Sequence, residues 1–146
     1  PHTLLITEDP LQYIFPWSVI TKLQKVVFGN DHSIRLSTME SLAFVNIKMH
    51  RYDRALRVYE DMLNLEENKF ATSNLYRLTI AKLLGNMSYV YLKMHKLRAA
   101  LACLKGVLAN QEASLPSDDK SIEQTRNFMA DIEIQLWQER DQNHND

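Results

Sequence analysis

The chain of 146 residues has one cysteine, three glycines and four prolines. A lone Cys103 excludes an internal disulfide and a cysteine-rich zinc site. It fits a reducing compartment, so a cytoplasmic location is expected. Scarce Gly and Pro disfavour an all-β fold with its many turns and favour helices. No apolar run approaches the ~18–20 residues of a membrane span, and no signal-peptide pattern occurs, so membrane insertion is not expected. There is no Gly-rich phosphate loop, no G-x-S-x-G elbow and no helical pair of His around a Glu. These absences predict no enzyme, no cofactor and no metal. Charge of one sign is also lacking. Seventeen basic residues meet eighteen acidic ones, which gives the whole chain no case for nucleic acid.

What is present is an ordinary globular balance, 45% apolar and 24% charged. The charge is segregated. Residues 1–67 carry 7 basic and 9 acidic side chains, residues 68–111 carry 7 basic and no acidic ones, and residues 112–146 carry 3 and 9. The middle third therefore presents a positive field to whatever it faces.

The dominant signal is an internal repeat. Residues 42–63, LAFVNIKMHRYDRALRVYEDML, align without a gap to residues 87–108, MSYVYLKMHKLRAALACLKGVL, at an offset of 45. Seven of 22 positions are identical: Val45/Val90, Lys48/Lys93, Met49/Met94, His50/His95, Ala55/Ala100, Leu56/Leu101 and Leu63/Leu108. Small residues stay in register, Ala43 with Ser88 and Ala55 with Ala100. In the first copy Met39, Leu42, Ala43 and Asn46 have one-face helical spacing, a turn follows at 49–52, and Ala55, Leu56, Tyr59, Met62 and Leu63 repeat the pattern. Each copy reads as two antiparallel helices joined by a tight turn, with small residues on the inner faces allowing close approach. One such hairpin cannot bury its apolar face alone and needs neighbours.

These residues resemble the tetratricopeptide repeat, through Leu42, Ala43, Ala55 and Tyr59 in one copy and Met87, Ser88, Tyr91, Ala100 and Leu104 in the other. The spacing exceeds the ~34 residues of the ordinary repeat and is similar to the longer kinesin-light-chain type. Residues 27–34, VFGNDHSI, resemble that type's junction between helix pairs, with Ser33 in place of a Pro, and residues 115–122 resemble a weaker version. Family helices often carry two Asn before the Leu-Ala pair, whereas here Glu40 and Ser41, then Gly85 and Asn86, hold those positions. The resemblance covers residues 18–137. It implies an all-α fold, a short right-handed α-solenoid of stacked helix pairs, with a partner segment bound in a concave groove lined by the first helix of each pair.

Along the chain, Pro10 and Pro16 with Tyr13, Phe15 and Trp17 predict an extended arm over 1–17, which has two readings: a cap over the open end of the stack, the favoured one, or an occupant of its own or a neighbour's groove. Helices are expected at 18–28, 33–49, 52–66, 72–94, 97–111 and 121–140. Thr72 or Ser73 would cap the fourth. Ile122, Phe128, Met129, Ile132 and Leu136 would form the core side of the last. A loop is expected at 112–120 and a polar tail at 141–146, so the repeat domain spans 18–140.

His50 and His95 stand where this repeat type usually has Gly. His tolerates φ > 0 better than most residues, so a turn role is expected rather than a proton switch or metal pair. Cys103, between Ala100 and Leu104, reads as a small core residue. His32 is expected to pack or cap within the junction. By register, Ser37, Glu40, Ser41, Phe44, Ile47 and Lys48 face the groove in the first pair, and Lys82, Gly85, Asn86, Tyr89 and Lys93 in the second. The resemblance implies that Asn86 holds a peptide backbone, donating and accepting through one amide. Lys48, Lys82 and Lys93 would attract carboxylates. The expected partner is thus another protein or peptide, acidic in character, bound through Lys48, Lys82, Asn86, Tyr89 and Lys93. Nucleic acid is disfavoured for want of interleaved exposed aromatics. A self-associating structural subunit, or a regulator of another enzyme, is the alternative.

Overall fold

The computed structural model describes residues 32–66 and 73–145. The expected arm at 1–17, the helix at 18–28, the junction residues up to 31 and the side chain of His32 lie outside them. Among the described residues all regular structure is α-helical, in five helices: α1 (His32–Lys48), α2 (Tyr52–Glu66), α3 (Asn74–Lys93), α4 (Leu97–Ser114) and α5 (Lys120–Asn145). None of them is long and apolar enough to cross a membrane. The chain divides into two compact units, with the boundary between Val58 and Tyr59, inside α2.

In the first unit, α1 buries Met39, Ala43 and Asn46, and the start of α2 buries Ala55, Leu56 and Val58. The corner between them is a Schellman turn. His50 takes φ 59. Its N–H donates to the Ile47 carbonyl at 3.0 Å, and the Arg51 N–H donates to the Asn46 carbonyl at 2.8 Å. The last carbonyls of α1 are thereby satisfied without water.

The second unit contains the same corner 45 residues on. His95 takes φ 57. His95 N–H donates to Leu92 O at 3.0 Å and Lys96 N–H to Tyr91 O at 2.9 Å. Behind it, α3 and α4 pack along their length and α4 packs on α5. The core joins Ala81 of α3, Leu97, Ala100, Leu104 and Val107 of α4, and Ile132 of α5, flanked by Leu84, Tyr91, Leu101, Met129 and Leu136. Small residues set the spacing, as the repeat implied. Ala100 and Ser88 are buried, and a Cβ placed on Gly106 would lie 2.7 Å from Leu84 Cδ1.

Polar contacts fix the ends of these helices. Ser73 Oγ accepts from the Tyr76 N–H at 3.1 Å, capping α3 as expected. Arg77 Nη1 donates to the Ala113 carbonyl at 3.4 Å. Arg126 pairs with Glu112 at 3.0 Å, and Thr125 Oγ1 lies 2.7 Å from Gln111 Oε1. Asp119 caps α5, with Oδ1 accepting from the Ser121 N–H at 2.9 Å.

Three expectations need correction at the C-terminal end. α4 runs on to Ser114, and α5 runs to Asn145, through most of the expected polar tail. Phe128, assigned to the core side, is 59% exposed. The α4-facing side of α5 is set by Ile122, Thr125 and Ile132, and Phe128 falls one step round the helix from it.

Candidate functional site

α3 has three sides. Ala81, Leu84 and Tyr91 meet the α4 core, and Leu83, Met87 and Val90 are buried on an adjoining side. Lys82, Asn86, Tyr89 and Lys93, spaced by four, three and four residues, form the remaining stripe. Lys82, Tyr89 and Lys93 are exposed, and Asn86 is half-buried. The stripe therefore exists because both other sides of the helix are committed to packing.

Within the stripe, the Lys93 ammonium stands 5.4 Å from the centre of the Tyr89 ring. The ring is 50% exposed. Such a pair contributes about 0.5–1 kcal/mol at an exposed site and holds the cation in place without neutralising it. The first unit carries the same device at the same offset. Lys48 Nζ stands 5.2 Å from the centre of the Phe44 ring, and Phe44 is 57% exposed. Both lysines end the first helix of their hairpin, where a cation also meets the negative end of the helix dipole.

Of the expected binding residues, α3 thus brings Lys82, Asn86, Tyr89 and Lys93 onto one face and couples Tyr89 to Lys93. Lys48 belongs to the other unit, coupled to Phe44. The Lys-over-ring pairing was not anticipated, although its signal, an aromatic four residues before a lysine in both copies, is in the sequence. No acidic residue occurs from 68 to 111, so the α3 stripe keeps its positive sign against its own sequence neighbours.

His50, His95 and Cys103 make local contacts. His50 Nδ1 and the Tyr52 hydroxyl are 2.8 Å apart, and His95 Nε2 lies 2.9 Å from Glu139 Oε1. Cys103 is only half-buried rather than fully in the core, and its burial raises the thiol pKa, which keeps the less nucleophilic form. Burial also raises the Tyr91 phenol, with Cys103 and Glu60 adding to the effect. Among the described residues, no group of three or more His, Cys, Asp or Glu is gathered for a metal ion.

Chemically, the site offers lysine ammoniums, one carboxamide and the face of an aromatic ring. That set suits reversible recognition of carboxylates beside an apolar or backbone surface. Comparison of the chain with protein-family models, curated proteins and solved structures gives no match.

Proposed function

We propose that the chain is a protein-interaction module of the tetratricopeptide class, of the kinesin-light-chain-like repeat type. Its hairpins would stack as a short right-handed α-solenoid, and it would bind an acidic segment of a partner protein inside the cell. One observation carries this reading. Two hairpins 45 residues apart repeat both their corner geometry and an exposed Lys-over-aromatic pair at the end of the first helix. The corner accounts for a scaffold role. The repeated solvent-facing pair accounts for a binding role, because folding alone does not require it. In this reading Lys82 and Lys93 draw the partner's carboxylates, Tyr89 lends a flat apolar surface, and Asn86 grips a peptide unit.

The test begins with a pull-down on the intact chain, followed by mapping of the captured segment. The mapped peptide is then titrated against the native chain and the Lys82→Glu/Lys93→Glu variant. An acidic peptide should lose most of its affinity for the variant. Equal affinity for both would remove the electrostatic basis of the proposal.

A further inference from the structure

We propose that the outward face of α5 is the contact surface for a second copy of this chain, in an antiparallel α5–α5 pair centred between Glu133 and Ile134. The proposal rests on α5 alone and is independent of the acidic-segment reading.

α5 packs on α4 through the side that carries Ile122, Thr125, Met129, Ile132 and Leu136. A second stripe faces away from the α4 core, with Arg126 at its edge reaching back to Glu112 of α4 at 3.0 Å. Glu123, Arg126, Ala130, Ile134, Trp137, Asp141 and His144 are spaced by three or four residues, so they share one side of the helix. Its middle is apolar and open to solvent. Ile134 is 55% exposed and Trp137 57%. Two large apolar side chains on one outward stripe mark an unfilled contact.

The sequence of the stripe is complementary to its own reverse. In an antiparallel pair about a two-fold axis between Glu133 and Ile134, Trp137 of one copy lies over Ala130 of the other, large against small. Arg126, whose exposed guanidinium also pairs with Glu112 of its own chain and has donors to spare, meets Asp141, and Glu123 meets His144. The two Ile134 side chains lie side by side next to the axis, and Glu133 stays at the edge, in solvent. Each match occurs twice by symmetry, as an isologous contact requires. A parallel pair would instead set Arg126 against Arg126, Asp141 against Asp141, and Trp137 against Trp137. Charge and size thus select the antiparallel arrangement.

The overlap from Glu123 to His144 is about 33 Å long at 1.5 Å per residue. One helix side is less than the ~800 Å² per partner of a standard interface. The pair therefore forms and separates with concentration.

Sedimentation velocity on the intact chain over a wide concentration range tests this, with circular dichroism confirming that each variant keeps its helices. The mass should rise from monomer towards dimer. Trp137→Ala and Asp141→Arg should each weaken association by about tenfold or more. Ala130→Trp combined with Trp137→Ala restores the large-against-small match with its places exchanged and should recover most of the loss caused by Trp137→Ala. In a Cys103→Ser background, Ile134→Cys should cross-link to itself on oxidation, whereas Glu123→Cys should not. A strict monomer at every concentration would overturn the proposal, as would a dimer indifferent to Trp137→Ala and Asp141→Arg. Failure of this double size exchange to recover association would overturn the antiparallel register.

Discussion

A side chain bearing a Cβ is strained in the left-handed backbone region, by about 1–2 kcal/mol. His50 and His95 both sit there. They are tolerated because each corner closes two backbone hydrogen bonds that satisfy the last carbonyls of the helix as the chain turns. His95→Gly should relieve the strain, with only a weakly held surface pair to Glu139 lost, and so leave stability equal or raised by up to ~1 kcal/mol. His95→Val puts a β-branched residue at the same φ and should destabilise by about 1–3 kcal/mol. Urea unfolding of the two variants checks the opposite signs. The helical glycines give a second contrast. A Cβ on Gly85 meets nothing nearer than Val107 Cγ2 at 4.0 Å. Gly85→Ala should therefore stabilise by about 0.5–1 kcal/mol. On Gly106 the same methyl meets Leu84 Cδ1 at 2.7 Å, so Leu84 must turn aside. Gly106→Ala should lose most or all of that gain, and the two urea midpoints can be compared directly.

At the level of helices, ends matter as much as faces. Asp119 opens α5, and its carboxyl lies below the usual carboxylate range because the Ser121 hydroxyl and then the Ser121 N–H donate to it. A depressed folded-state value favours the native chain at neutral pH. That contribution is complete above the unfolded Asp range and is lost as pH falls through the lower folded value. Asp119→Asn should flatten the fall in stability below about pH 4, as read from denaturation midpoints across pH. Both hairpins were legible in sequence because their corners are near-copies: Lys-Met-His closes α1 and α3 alike, and Ala55 and Ala100 mark the same point of the following helix. The first turn of α3 was legible through Ser73. Phe128 was not. Periodicity places it beside Met129 without saying which edge of the stripe meets α4, and only the packing of Ile122 and Ile132 decides that. The extent of α5 was also hidden, because a run as polar as Arg140–Asp141–Gln142–Asn143 is indistinguishable from a loop until the helix before it is seen to continue. The stripe of Lys82, Asn86, Tyr89 and Lys93 was legible by register, whereas the seating of each lysine over its ring depends on side-chain rotamers that spacing does not specify.

For the molecule as a whole, the separation of charge along the chain sets how it meets others. The acid-free stretch from 68 to 111 lies between segments richer in acid than in base, so a field of definite sign belongs to α3 and α4 rather than to the protein's near-zero total. If an acidic segment binds there, affinity should fall as salt is raised, and Lys82→Glu/Lys93→Glu should largely abolish that salt dependence. Isothermal titration at two ionic strengths separates this from binding by shape alone, in which salt would have little effect on either protein.

The matching corners at His50 and His95 also bear on how such a chain can change length. The N–H groups of His50 and Arg51 meet the same carbonyls, 45 residues earlier, as those of His95 and Lys96. A gene that lost codons 51–95 would join His50 to Lys96 and rebuild a bend the chain already possesses. A gene that duplicated them would likewise add a module without inventing a junction. Growth and shortening by whole units are therefore open to this architecture in a single recombination event.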